Sequence, residues 1–151
     1  MSLSTKTGET IMKLKILTLI FAGVCFAGYN ETVFLRSVKE IETGNKKHVH
    51  WHNRKKKDFG DWGINIRTCQ DFLKEKKKPC TKKDARRRLP FIHKEVAIWN
   101  VKKLAKITGS NVYRMATFWR YGINTTKTTN DYARRLANLY RHFNLTSEER
   151  K

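Results

Sequence analysis

The stretch VKEIETGN, Val38 to Asn45, decides how this chain is read. Leu35, Val38 and Glu42 fall on one helical face with Ile41 beside them, and the run stops at Thr43 and Gly44. That spacing predicts a helix from about Asn30 to Thr43, ended by the glycine. Glu42 then sits at the edge of the apolar stripe in the last turn. A carboxyl lodged there loses solvation, which favours its neutral form and raises its pKa. A carboxyl that is neutral near neutral pH can donate a proton to a leaving group. The alternative is a solvated glutamate at a helix end.

Working outward, 151 residues with 39% hydrophobic content make one globular domain with one core. The net charge of +20 is extreme for that size and calls for an anionic partner: nucleic acid, acidic lipid or an anionic wall polymer. The N-terminus discriminates among these. From Met12 the chain reads MKLKILTLIFAGVCFAGYN, two lysines followed by an apolar run from Ile16 to Ala27 that ends in small residues. This is the layout of a secretory signal peptide, with Cys25 and Ala27 before the cut, so residues 1–28 are expected to be a signal peptide or an N-terminal anchor. Valine before Cys25 argues against lipoprotein processing. Export to the periplasm or cell envelope moves the expected partner from nucleic acid towards envelope polymers. It also leaves Cys69 and Cys80 as an even pair in an oxidising compartment, expected to form a disulfide; two buried free thiols are the alternative.

The rest of the chain reads as mainly α, with at most a small β-hairpin. A basic, irregular loop covers NKKHVHWHNRKKKDFGDWG. Thr81 and Asp84 make a capping box for a helix interrupted near Pro90 and continued by Phe91, Ile98, Val101 and Ala105. Val112, Met115, Ala116 and Trp119 stripe another helix. Tyr132, Leu136, Leu139 and Phe143 stripe the last, with Thr128 and Asp131 as its capping box. The domain is expected to span 29–145, with 146–151 a flexible tail.

Over nearly all of that span the chain resembles the lysozyme-like lytic transglycosylases. IETGN resembles the Glu-Ser-Gly signature that ends their first helix, with Glu42 at the acid and Thr43 at the serine. FGDWGINIRT resembles their second motif. Aligned without gaps on Gly60 and Thr68, Gly63 stands where the family has glutamine, followed by Ile64; aligned on DWGI, Asn65 takes that place and one residue is missing. In the second register Asp61 matches the second carboxylate of animal-type lysozymes. ATFWRYGINTTKTTNDYARRL resembles the third and fourth motifs, with Trp119 for tyrosine, Arg120 for asparagine, Tyr121 at the variable position and Gly122 matching, followed by Tyr132 opening the last helix.

The resemblance implies a helical bundle around a sugar-binding cleft and cleavage of the β-1,4 bond between N-acetylmuramic acid and N-acetylglucosamine in peptidoglycan, without cofactor or metal. Glu42 would act as acid and then as base. Thr43, Gly60, Asp61, Trp62, Gly63, Ile64, Asn65, Trp119, Tyr121 and Tyr132 would bind the glycan; the aromatic residues among them are equally suited to core packing. If Asp61 faces the cleft, a hydrolytic lysozyme mechanism with two carboxylates becomes available. A wall-binding protein that keeps the fold without activity is the other reading. A monomer is expected, with Lys46, Lys47, Lys55, Lys56, Lys57, Lys74, Lys76, Lys77 and Lys78 concentrating it on anionic envelope polymers or lipids. His48, His50 and His52 alternate as on a strand, yet no fourth zinc ligand accompanies them.

Overall fold

The structure is a computed structural model describing residues 29–44, 52–53 and 58–148. Residues 1–28, which hold the expected leader, Lys46, Lys47, His48, His50, Lys55, Lys56, Lys57 and residues 149–151 lie outside this description. Five helices hold 72% of the described residues, so the chain is mainly α as expected.

Helix α1, Glu31–Thr43, begins and ends where the sequence predicts. The Asn30 side chain accepts the Val33 N–H at 3.1 Å, which satisfies one of the free donors of the first turn. Gly44 closes the helix in the left-handed conformation, with φ 58° and its N–H on the Glu40 carbonyl.

Between α1 and the next helix lie three two-residue strands, β1 His52–Asn53, β2 Asp58–Phe59 and β3 Ile64–Asn65, in an antiparallel sheet of order β1-β2-β3. Phe59 faces both His52 and Ile64 across the ladder. The expectation of at most a hairpin is corrected by one strand, because both flanks of β2 are paired. Gly60 and Gly63, with φ of 68° and 57°, reverse the chain between β2 and β3, and the Gly63 N–H closes on the Gly60 carbonyl at 3.2 Å.

Helix α2, Ile66–Glu75, is absent from the sequence-based expectation. Asn65 caps it by accepting the Thr68 N–H at 2.9 Å. Its buried face is Ile66, Cys69, Phe72 and Leu73, a helical spacing that stops just before a run of lysines.

Helix α3, Lys82–Thr108, opens on the expected Thr81–Asp84 capping box but runs unbroken through Pro90. Proline removes one backbone bond and crowds the preceding turn. Here Pro90 is exposed, while Ala85, Leu89, Val96 and Ala97 form a continuous buried face. Packing along that face outweighs the local cost.

Helix α4, Val112–Tyr121, follows a left-handed turn at Gly109 and Ser110. Helix α5, Asp131–Glu148, is capped by Asn130, whose side chain accepts the Ala133 N–H at 2.7 Å. This corrects the expected Thr128 cap: Asn130 is also anchored to α4, its amide donating to Thr117 and its N–H to the Tyr113 hydroxyl. The helix passes Asn144 and reaches Glu148, so the first residues of the expected tail are helical.

The core has two clusters, with α3 running through both. One joins Phe34 and Val38 of α1 to Val101, Leu104, Met115, Ala116, Ala133 and Leu136. The other packs α2 and β3 against the first half of α3. Trp62 and Trp119 touch both clusters and tie the two halves together.

The expected disulfide does not form: Cys69 and Cys80 are free. The Cys69 thiol is buried in the second cluster and points at the Ala85 carbonyl of α3, 3.9 Å away. Burial pushes its pKa up to about 11, which keeps it protonated and unreactive. The backbone at Cys80 is held separately, its carbonyl accepting from the Gln70 amide at 2.9 Å.

Candidate active site

Glu42 occupies the last turn of α1, where the helix dipole opposes a negative charge and no basic side chain offsets it. It is partly buried. Its position gains nothing for the helix, and its surroundings explain what holds it.

Two elements meet its carboxyl group. The Tyr132 hydroxyl, in the first turn of α5, donates to Glu42 Oε1 at 2.9 Å. On the other side lies Gly63, in the turn before β3. A Cβ there would stand 3.0 Å from Glu42 Oε2 and 3.1 Å from its Cδ, a tight contact that the carboxyl group could relieve only by shifting a few tenths of an ångström. Glycine is therefore favoured twice at this position, by the positive φ and by the space the carboxyl group fills.

Burial pushes the Tyr132 phenol well above its ordinary 10.0, and the neighbouring Glu42 charge and the hydrogen bond between them push it further. Tyr132 thus stays a neutral donor throughout the working range of pH and steadies the carboxylate whenever it is ionised. The Arg120 guanidinium lies 5.6 Å from the Tyr132 ring centroid and pulls the other way. Sequence reading left Arg120 as a departure from the family pattern; in the fold it stands next to the residue that touches the acid.

Asp61 is paired with Lys39, 2.6 Å away and one turn before Glu42 on α1. The pair fastens the β2–β3 turn to the helix carrying the acid. Trp62 adds a second tether, its indole N–H donating to the Leu35 carbonyl at 3.1 Å while its ring packs 5.7 Å from His93. Gly60 admits the same histidine, since a Cβ there would meet the ring at 2.9 Å.

The expected glycan-binding residues therefore separate into groups. Gly63 and Tyr132 gather at Glu42. Gly60, Asp61 and Trp62 hold the turn in place. Thr43 and Ile64 are buried: the Thr43 hydroxyl turns back to the Lys39 carbonyl at 2.7 Å, and the Ile64 side chain belongs to the core. Neither side chain is open to a ligand, which corrects their expected role. Asn65, Trp119 and Tyr121 line a cleft of about 860 Å³ bounded by α2, α3 and α4. Glu42, Gly63 and Tyr132 are not among its walls, while Arg120 is. Trp119 is also core, edge-on to Phe34 at 6.1 Å.

Trp99, Asn100 and Lys103 of α3 also line this cleft and were not anticipated. Their signal was available, since Trp99 and Lys103 are four residues apart and share a helix face. Among the described residues no group of His, Cys, Asp and Glu is placed to hold a metal ion. No family model, no curated protein and no solved structure matches this chain.

Proposed function

We propose that this chain is an exported peptidoglycan-cleaving enzyme of lysozyme-like fold, acting as a lytic transglycosylase through Glu42. The observation that carries the reading is the pairing of Glu42 with Gly63 and Tyr132. A carboxyl group at a helix end is held between the backbone of a glycine turn and a neutral phenol. Glu42, Gly63 and Tyr132 come from three separated segments of the chain, in the order of the motifs they resemble.

Glycosidic cleavage needs a proton for the departing oxygen, because an alkoxide is too basic to leave alone. Glu42 gives its proton to the bridging oxygen between N-acetylmuramic acid and N-acetylglucosamine as that bond breaks. The resulting carboxylate, steadied by the Tyr132 hydrogen bond, takes the proton of the muramic 6-hydroxyl. That oxygen then closes on the anomeric carbon as an anhydro ring. Proton and electron pairs balance within the sugar and one carboxyl group, and no water enters.

The two-carboxylate hydrolysis is the weaker reading, because Asp61 is neutralised by Lys39. A carboxylate engaged in an ion pair is poorly placed to act as nucleophile or water-activating base.

The test is digestion of purified peptidoglycan by the full chain and by its Glu42→Gln variant, followed by release of soluble muropeptides. Loss of general acid catalysis predicts a fall of about 10²- to 10⁴-fold with the fold retained by circular dichroism. Equal release by both proteins would remove Glu42 from the chemistry. No release by either would replace the enzyme with a wall-binding protein.

A further inference from the structure

The cleft between α2, α3 and α4 carries an imbalance that the chemistry at Glu42 does not use. Four cationic side chains, Arg67, Lys82, Lys103 and Arg120, line it against the single carboxylate of Asp71. None of the five enters an ion pair among the described residues. Arg67 and Lys82 stand in the first turns of α2 and α3, where the helix dipole disfavours positive charge. The fold gains nothing from them there.

We propose that this cleft is a second binding site, for an anionic saccharide. The cations meet its carboxylate or phosphate groups. Asn100 presents an amide that donates to or accepts from hydroxyl groups, and Asp71 a carboxylate that accepts from them, beside Trp99 and Trp119. The aromatic geometry disfavours a stack of bases. Lys103 lies 4.8 Å over Trp99, whose edge meets Phe72 at 72°, and Trp119 is held edge-on by Phe34. Neither indole presents the open platform on which successive bases stack. Asp71 repels carboxylate and phosphate groups alike; what it adds is an acceptor for sugar hydroxyl groups, which a DNA backbone does not offer. The site stands apart from the cleavage reading, because its walls exclude Glu42 and binding there requires no bond to break.

The experiment uses the full chain with Glu42→Gln as background, so that no probe is consumed. Affinity is measured for an oligogalacturonate, for a neutral oligosaccharide of the same length and for single-stranded DNA of the same charge. The cleft variant Arg67→Glu with Lys103→Glu is compared with Lys94→Glu with Lys106→Glu, a charge-matched pair exposed on α3 outside the cleft. The cleft pair is expected to weaken oligogalacturonate binding by more than about tenfold and the control pair by less than about threefold. The neutral sugar should bind at least about tenfold more weakly than the acidic one. Equal losses in the two variants would assign binding to the overall charge and overturn the proposal. Tighter binding of DNA with the same cleft dependence would overturn it in favour of a nucleic-acid site. If the double glutamate variant fails to fold, Arg67→Gln with Lys103→Gln carries the same comparison.

Discussion

The end of α1 and the cleft between α2 and α4 are built on opposite terms. At Glu42 the polar groups have partners: the carboxyl group takes the Tyr132 hydroxyl, Asp61 takes Lys39, and Gly63 fills the remaining side with backbone. In the cleft the charges are left without ion pairs among the described residues. A satisfied group fixes geometry, as a reacting carboxyl requires. A set of like charges without counter-charged partners attracts an anionic ligand, as a binding surface requires. The contrast predicts that changes near Glu42 alter geometry and stability, whereas changes in the cleft alter affinity and its dependence on salt.

The largest expected effect removes the floor beneath both regions. Phe34 is fully buried and supports Trp119, which borders the cleft, from the same helix that carries Glu42. Phe34→Ala should cost about 3–5 kcal/mol in denaturant unfolding. A cost below about 1 kcal/mol would mean that the core described at this point is wrong.

Gly63→Ala comes next, and it sharpens the comparison because it strikes the acid alone. The new methyl group meets the Glu42 carboxyl group, and the left-handed backbone adds about 1–2 kcal/mol of strain. Peptidoglycan release should fall by about tenfold or more, out of proportion to stability. Oligogalacturonate binding in the cleft should be unchanged. Parallel loss of both would show that the two sites are one.

Tyr132→Phe is expected to cost about 1 kcal/mol, from one lost hydrogen bond to Glu42. It also has a pH signature. The phenol is raised above 10.0 in the folded chain, so the folded state holds its proton where the unfolded chain has lost it. Its contribution to stability is full below pH 10 and falls as pH rises beyond that value. Alkaline denaturation of the Phe variant should be correspondingly shallower above pH 10, and an unchanged slope would place the Tyr132 hydroxyl elsewhere.

The smallest effect is expected at the Lys39–Asp61 pair. Lys39 is 46% exposed at its side chain, so Asp61→Asn should cost less than about 1 kcal/mol, and added salt should erase the difference.

What the sequence made legible follows the range of the interactions involved. Helix α1 is legible to within a residue because its stripe and its terminating glycine lie within a few positions of one another. The same holds for the Thr81–Asp84 box. Glu42 stands out in sequence through its place at the edge of the apolar stripe, next to the glycine that ends the helix. The partnership with Tyr132 spans 90 positions and depends on α1 meeting α5, which no local pattern states.

The misses have the same origin. Helix α2 was passed over because its apolar residues are few and sit between a glycine-rich turn and a run of lysines. Pro90 was read as a break because its local cost is visible in sequence while the buried face that outweighs it is not. Two cysteines in an expected exported domain suggested a bridge; the packing of Cys69 against α3 decided otherwise. Thr128 looked like a cap as well as Asn130 does, and only the contacts of Asn130 with α4 separate them.

The proposed cleavage uses one carboxyl group, Glu42, and no water. It is tested most directly by digesting peptidoglycan with the full chain in heavy-oxygen water and weighing the muropeptides. The expected products are lighter by one water than hydrolytic ones, carry no heavy oxygen at the muramic end and are absent with Glu42→Gln. Hydrated products bearing the heavy isotope would contradict it and return Asp61 to the chemistry.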